Sequence, residues 1–422
     1  MNITVIIACI VFITLMLILV LLLLAAKSAV APSSQEQARV TVDINNGARR
    51  LKVSPGETLA ATLAQEQILL PSSCGGKANC GQCLVRVLQG GGDVLPTESA
   101  SLSPRQLADK WRLACQVKVH EDIKMEIPES VLSARMITCE VLSNRNVSAM
   151  YKELRLRIPE GEDFTYSSGE FIQLYVPEGR VYFSDFEIDN RFKWDWKEQN
   201  LYSLQSNCVE ETSRAYTILS YPGEKIEDAG GSTVIKLLVR LALPPEGCAQ
   251  PGACSSYIFS LKPGDKVRIA GPYGEALLPE DMPHEQELVF ISGGAGMSLS
   301  RSHICSLLKA GKSTRRIIFY YGARTFADAF YVNEFRALER EFPNFRFRLV
   351  LDIPDMEAIM NGVDFDQGYV HQAVYENYLK DHRSARSNLY FVCGPPEMVN
   401  ATRSMLAALD VPHENILGDD FS

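Results

Sequence analysis

The longest stretch without a charged side chain runs from Ile3 to Ala26, 24 residues dominated by Ile, Leu and Val. As a helix at about 1.5 Å per residue it extends ~36 Å, enough to cross a ~30 Å hydrocarbon layer with some tilt. A cleavable signal peptide is the competing reading, because Ala29–Val30–Ala31 resembles a cleavage site. The apolar run exceeds the usual ~7–15 residues of such peptides, however, and no Lys or Arg precedes it. A retained transmembrane helix over 3–26 is therefore expected. Lys27 and Arg39 follow the segment, which points to a cytoplasmic body on its C-terminal side.

Beyond this segment the pattern changes twice. Between 36 and 130, "ARVTVDINNGARRLKV" sets two β-rich runs around Asn46-Gly47, a strong hairpin signal. "TLAATLAQEQ" then reads as a short helix and "CLVRVLQGG" as another strand, together a small α+β domain. From 134 to 282 short strands such as "KELRLRIP", "GEFIQLYVP", "TVIKLLVRLAL" and "DKVRIAGPYGE" alternate with Gly and Pro turns, the pattern of a closed antiparallel β-barrel. From 283 to 422, strand, Gly-rich turn and helix recur three times, beginning "ELVFISGGAGMSLSRSHIC", "RRIIFYYGARTFADAF" and "LYFVCGPPEMV". This alternation predicts an α/β parallel sheet with ligands at the carboxyl ends of its strands.

A chain of 422 residues exceeds one hydrophobic core, in keeping with several domains. Its net charge of −9 argues against a nucleic-acid binder. The sequence contains no HExxH, GxSxG or Walker motif, so no hydrolytic or P-loop chemistry is indicated.

The first candidate chemistry lies in "CGGKANCGQC". Together with Cys115 it gives the spacing C-x5-C-x2-C-x31-C through Cys74, Cys80, Cys83 and Cys115. Four thiolates suit a 2Fe–2S cluster, and Gly75, Gly76 and Gly81 let a loop wrap it closely. A zinc site would ordinarily pair its ligands as two CxxC units, and only His120 lies near Cys115. Two disulfides would require an exported domain, against the charge asymmetry.

The second lies in "RAYTILSYP", where Arg214 and Tyr216 share one strand face and Thr217 points the other way. A guanidinium suits a pyrophosphate, an aromatic ring a flat cofactor, and a hydroxyl a ring nitrogen. Gly252, Ser255 and Ser256 stand just before a helical run, where free N–H groups suit phosphate. The third is the glycine turn Gly293, Gly294 and Gly296 after an apolar strand, a nucleotide site. Arg324, following "YYGA", could meet a 2′-phosphate and favour NADPH. His303 falls on the helix after the glycine turn, where packing or exposure is a simpler role than catalysis. Trp194 and Trp196 lie in a long insertion, Val181 to Ser220, as either a docking surface or a packing cluster.

From Arg39 onward the chain resembles the ferredoxin-NADP reductase superfamily with a ferredoxin (β-grasp) domain attached. The cysteine spacing, "RAYTILSYP", "GACSSYIFSLKPGD", "GPYGE", "YYGAR", "CGPPEMV" and the ending "DDFS", with the N-terminal segment, resemble the NADH-oxidising subunits of Na+-translocating NADH:quinone oxidoreductases. The resemblance implies FAD on Arg214, Tyr216 and Thr217, with its pyrophosphate at Gly252, Ser255 and Ser256. It implies NADH at Gly293, Gly294, Gly296, Cys393, Gly394 and Pro395, with Phe421 covering the isoalloxazine; Thr217, Cys393 and Phe421 then flank the reacting atoms. Electrons would pass from NADH through FAD to the cluster and on to integral-membrane partner subunits, reducing quinone with Na+ export from the bacterial inner membrane. A soluble reductase feeding a multicomponent oxygenase is the nearest alternative. Two positions depart from the family: Thr217 stands where Ser is usual, and Ser298-Leu299 where Ala-Pro is usual.

Overall fold

The computed structural model describes residues 14–16, 18, 39–72, 74–226, 230–244, 250–274, 286–382 and 385–418. Apart from 14–16 and 18, the expected membrane helix lies outside the described residues. Among the described residues no helix is long and apolar enough to cross a membrane. The chain divides into two compact units, Met1–Glu66 with Val85–Ile127, and Gln67–Leu84 with Pro128–Ser422.

The first unit is a mixed sheet with three short helices. Its strands are β1 (Val40–Ile44), β2 (Arg49–Val53), β3 (Leu84–Gln89), β4 (Trp111–Leu113) and β5 (Ile123–Glu126), in the order β2-β1-β5-β3-β4. β1 pairs antiparallel with β2 and parallel with β5, the arrangement of a β-grasp sheet. Alternation fixes the register: Val42, Ile44, Leu51, Val53, Ile123 and Met125 are all buried while their neighbours face outward. The expected hairpin is present, and its turn carries Asn45, Asn46 and Gly47 at φ 49°, 53° and 91°. Asn and Gly tolerate this left-handed backbone, which is why the sequence signal is readable. Helix α1 (Leu59–Gln65) starts at Thr58, whose hydroxyl accepts the Ala61 N–H at 3.2 Å, and it buries Leu59 and Leu63.

The second unit begins with an antiparallel barrel. Its strands are β6 (Arg135–Ser148), β7 (Tyr151–Arg157), β8 (Phe171–Val176), β11 (Thr212–Thr217), β12 (Val234–Arg240) and β13 (Lys266–Tyr273), with the side hairpin β9 (Gly179–Tyr182) and β10 (Gln205–Cys208). The six-stranded order is β11-β8-β13-β6-β7-β12, and the bridge Ile218↔Leu237 joins its two edges. Inward residues such as Leu154, Leu156, Ile172, Leu174, Ile235 and Leu237 fill its interior. The insertion adds helix α2 (Lys193–Glu198), which settles one tryptophan each way. Trp196 is fully buried against Phe183, Phe186, Tyr202 and Phe259, and its indole N–H donates to the Ala149 carbonyl at 2.8 Å. Trp194 remains exposed. Helix α3 (Ala253–Ser260) packs on the same core.

The rest of this unit is a parallel sheet of β14 (Leu288–Gly293), β15 (Ile317–Ala323), β16 (Phe345–Leu351), β17 (Asp366–Gln367), β18 (Leu389–Cys393) and β19 (Ile416–Leu417). Its order is β17-β16-β15-β14-β18-β19. β14 and β18 are buried along their whole length, as strands covered on both faces must be, and so read as unbroken apolar runs. Helices α4 (Met297–Cys305), α5 (Val332–Glu341), α6 (Val370–Val374) and α7 (Pro396–Ala408) cover the sheet.

α4 is buried at every position despite Ser298, Ser300, Arg301, Ser302 and His303. Ser300, Arg301 and Ser302 find partners on both sides. Ser302 Oγ donates to the Ser220 carbonyl at 2.9 Å, and the Ser300 and Ser292 hydroxyls stand 2.5 Å apart. Arg301 forms pairs of hydrogen bonds with Glu224, on the barrel side, and with Glu334 on α5, at 2.8–3.1 Å, and donates to the Leu219 carbonyl. Burial pushes the Glu224 carboxyl up, but the hydrogen bonds and charge of Arg301, helped by Lys236, bring it down to about 2. The barrel and the parallel sheet are therefore pinned together by a desolvated, fully paired arginine.

Candidate functional site

The cysteine loop is shaped by backbone reversals. Gly75, Gly76, Ala78 and Gly81 have φ of 62°, 86°, 65° and 66°, so the chain curls repeatedly between Cys74 and Cys83. Cys74 and Cys80 are half-buried, and Cys83 and Cys115 are buried. Burial raises the Cys74 thiol, but hydrogen bonds from the Cys80 side chain and from the backbone at Cys80, Asn79 and Lys77 bring it down to about 7. Backbone donors aimed at a sulfur favour the thiolate that iron requires. Among the described residues no three His, Cys, Asp or Glu side chains converge tightly enough for a single metal ion. A 2Fe–2S cluster distributes four thiolates over two irons. The donor set fits the cluster.

Arg214 and Tyr216 lie on β11, in regular register with β8 through Thr217↔Phe171, so their shared face is as the alternation requires. Arg214 is exposed, and its Nη1 donates to Thr212 Oγ1 and to the Ser213 carbonyl. Tyr216 is half-buried against the barrel core, and burial pushes its hydroxyl well up. Cys254, in the first turn of α3, is raised by burial to about 11 against the opposing pull of the Arg214 charge, and α3 itself packs against β11. A Cβ on Gly252 would come 2.8 Å from the Ala242 Cβ, so the entry to α3 admits only glycine without movement. Ser255 Oγ accepts the Ala242 N–H at 3.0 Å and donates to the Gly252 carbonyl at 3.1 Å. Ser256 Oγ is buried without a partner. An orphaned hydroxyl, a helix N-terminus and a nearby guanidinium fit a flavin pyrophosphate.

The nucleotide turn leaves β14 at Gly293 and enters α4 at Met297. Here glycine is required by space. A Cβ on Gly296 would sit 2.0 Å from the Cys393 carbonyl oxygen, and one on Gly294 2.5 Å from the Tyr151 hydroxyl. Gly394 is equally confined, since a Cβ there would lie 2.8 Å from Met398 Cε and 3.0 Å from the Gly293 carbonyl oxygen. Ser298 and Leu299 are buried in the first turn of α4, so the departure from Ala-Pro leaves turn and helix intact. Beside the turn opens a crevice of about 890 Å³ at the carboxyl ends of β14, β15 and β16. Gly293, Gly294 and Pro395 line it, together with Arg324. Cys393 is fully buried at the end of β18 and does not line it. Phe421 lies outside the described residues. His303 is buried between Phe290 and Phe391, with both ring nitrogens unpartnered, and burial lowers its pKa to about 4.

Several lining residues carry no local signal in the sequence. Tyr151 and Arg240 belong to the barrel strands β7 and β12, yet they wall the crevice from the side facing the glycine turn. Asp328 and Asp352 line it with Arg324. An acid after a strand is too common to single out without knowing that the strands run parallel.

Family models match the chain in three places: a 2Fe-2S iron-sulfur cluster binding domain over 42–120, an oxidoreductase FAD-binding domain over 200–277 and an oxidoreductase NAD-binding domain over 290–404. Among solved structures, an Amycolatopsis cytochrome P450 reductase covers 90% of this chain and 98% of its own, with a TM-score of 0.62 at 23% identity. A ferredoxin reductase in carbazole 1,9a-dioxygenase covers 91% and 98%, with a TM-score of 0.56 at 20% identity. These share the fold. The class is thereby defined: an iron–sulfur flavoprotein oxidoreductase of nicotinamide nucleotides. The F subunit of the Na+-translocating NADH-quinone reductase of Klebsiella pneumoniae is 44% identical over 385 residues, covering 90% of this chain and 91% of the relative. Its counterpart in Pseudomonas paraeruginosa is 42% identical over 383 residues, with the same coverage. The chain belongs to this family of F subunits of Na+-translocating NADH-quinone reductases.

Proposed function

We propose that the chain oxidises NADH within a membrane-bound, Na+-translocating NADH:quinone oxidoreductase and hands single electrons to integral-membrane partner subunits that reduce quinone. The observation that carries this reading is the crevice beside the glycine turn, which lies in the same compact unit as the flavin-type strand and the α3 N-terminus. When bound, FAD takes two electrons from NADH and releases them singly to a 2Fe–2S centre. The chain itself positions the groups and excludes water. Arg214 would neutralise pyrophosphate charge, with Gly252, Ser255 and Ser256 offering donors at the α3 N-terminus. Tyr216 would pack against a bound flavin, and Thr217 would donate a hydrogen bond to it. Gly293, Gly294, Gly296, Cys393, Gly394 and Pro395 would shape the nicotinamide side, with Phe421 as the residue that would cover the flavin. Cys74, Cys80, Cys83 and Cys115 would hold the cluster.

The domains proposed are an anchor over 3–26, a ferredoxin domain over 36–130, a flavin barrel over 134–282 and a nucleotide domain over 283–422. The anchor is a single span of the bacterial inner membrane with the body in the cytoplasm, and its 24 uncharged residues favour this over a soluble oxygenase reductase. Detergent-purified protein should carry FAD with about two irons per chain, and removal of residues 1–38 should release it from membranes. Retention of the truncated chain in washed membranes would refute the anchor. Absence of flavin and iron after reconstitution would refute the redox assignment.

A further inference from the structure

The strand that leads to Cys115 is held by an ion pair sealed inside the first compact unit. Arg112, on β4, is 6% exposed and Glu98 is 0% exposed. The guanidinium grips the carboxylate twice, from Nε to Oε1 at 2.8 Å and from Nη2 to Oε2 at 2.7 Å. Oε1 also accepts the Leu113 N–H and Oε2 the Leu95 N–H, each at 3.0 Å. The remaining N–H groups of Arg112 go to the Gly91, Gly92 and Asp93 carbonyls at 3.4, 3.0 and 2.9 Å. A buried polar network with its donors and acceptors all engaged is rigid, so the short helix Pro96–Ser101 that carries Glu98 is fixed against β4. That frame delivers an amide to a sulfur. Thr97, the neighbour of Glu98, donates its hydroxyl to Gln116 Oε1 at 2.9 Å. Gln116 Nε2 then faces Cys115, donating to its carbonyl at 3.3 Å and to its Sγ at 3.6 Å. Two N–H groups on one nitrogen can serve both acceptors. The reversed amide would set Oε1 against the Cys115 carbonyl, two acceptors with no proton between them, so the contacts themselves select the orientation. The Gln116 backbone N–H closes the turn on the Leu113 carbonyl at 2.8 Å, which keeps the side chain beside Cys115. Every residue in this series of contacts falls between Gly91 and Gln116, inside one compact unit.

We propose that Gln116, oriented by Thr97, is a positioning residue that tunes the cluster: its amide N–H donates to the Cys115 sulfur and raises the potential at which a bound 2Fe–2S cluster would accept its electron. The proposal rests on the assignment of Cys115 as a ligand of such a cluster. Reduction places more negative charge on the ligand sulfurs. A donor aimed at one of them therefore stabilises the reduced form more than the oxidised one. Thr97 touches no sulfur and acts only by holding the amide in the donating orientation.

The test is a redox titration of the full-length, cofactor-loaded protein, with the reduced cluster followed by electron paramagnetic resonance at each poised potential. Gln116→Met nearly keeps the volume and removes the donor. It should shift the cluster's reduction equilibrium about tenfold towards the oxidised form, about 59 mV for one electron. Thr97→Val releases the amide and should shift the equilibrium the same way by about threefold. Thr97→Ser keeps the hydroxyl and should keep the parent value. The double variant Gln116→Met with Thr97→Val should match Gln116→Met alone, since Thr97 acts through that amide. An unchanged or raised potential in Gln116→Met would overturn the proposal. A full further shift on adding Thr97→Val to Gln116→Met would overturn the role given to Thr97. A parent protein that holds no cluster would instead refute the cofactor assignment, a separate result visible in its spectrum before any variant is made. Should Gln116→Met fail to retain its cluster, Thr97→Val must still lower the potential, or the proposal fails.

Discussion

The cysteine loop and the nucleotide turn are both rich in glycine, but they need glycine for different reasons. In the cysteine loop the constraint is torsional: Gly75 and Gly81 have φ of +62° and +66°, and a Cβ on either would meet nothing within 4 Å. At Gly296 of the nucleotide turn the constraint is steric, since its φ is an ordinary −58° but its Cβ would lie 2.0 Å from a backbone oxygen. Gly294 in the same turn combines both constraints, with φ 53° and a Cβ 2.5 Å from the Tyr151 hydroxyl. The first loop bends around a guest, and the second lets one strand-end backbone approach another. A glycine in a sequence is thus ambiguous until its torsion and neighbours are known.

The largest effect that sharpens this contrast comes from the ligands. Cys80→Ala should abolish cluster absorbance while NADH still bleaches the flavin, because the nucleotide turn does not depend on the loop. Loss of flavin bleaching in that variant would show the two regions to be one structural element.

Next comes the arginine that pins the barrel to the parallel sheet. Arg301→Met leaves Glu224 and Glu334 without their arginine, and breaking such a buried pair costs about 3–5 kcal/mol in denaturant unfolding. The same network should respond to acid. The Glu224 carboxyl is held down at about 2 against an ordinary 4.5, so its stabilisation is complete above pH 4.5 and is lost as pH falls towards 2. Comparison with Glu224→Gln, whose stability should vary less over that interval, isolates the contribution. Equal acid sensitivity of the two proteins would contradict the assignment.

Smaller effects separate the two kinds of glycine. Gly296→Ala forces the Cys393 backbone aside and should cost ~1–3 kcal/mol, accompanied by weaker NADH binding. Gly75→Ala should cost ~1–2 kcal/mol through its left-handed torsion alone. Asparagine distinguishes them. Gly75→Asn should recover part of the loss, since Asn tolerates that conformation, whereas Gly296→Asn should be worse than Ala. Parallel behaviour of Asn at both positions, measured by thermal unfolding, would erase the distinction.

Much of this organisation is legible along the chain. The Asn46-Gly47 hairpin, the barrel strands and the strand–turn–helix repeats are local patterns, and each appears where periodicity puts it. Simple alternation places Arg214 and Tyr216 on one strand face, and β11 is regular enough to keep them there. What escapes a local reading is long-range. α4 carries Ser298, Ser300, Arg301, Ser302 and His303 yet is buried throughout, and Ser220 and Glu224, about eighty residues earlier, bond Ser302 and Arg301. Tyr151 and Arg240 wall the crevice only because the barrel is pinned against the sheet. Trp194 and Trp196 share a sequence context and have opposite fates, decided by which side of the short α2 helix meets Phe259. Cys393 is fully buried at the end of β18, and the fit of its carbonyl against Gly296 of the nucleotide turn is likewise a long-range feature.

The most direct test of the central claim, that one chain carries electrons from NADH through FAD to a 2Fe–2S cluster, is anaerobic rapid mixing of the detergent-purified protein with NADH. Absorbance would be followed at flavin and cluster wavelengths together. The account predicts that the flavin bleaches first and the cluster is reduced afterwards within the same molecule, at a rate independent of protein concentration. Cluster reduction that never occurs, or that scales with protein concentration, would contradict it.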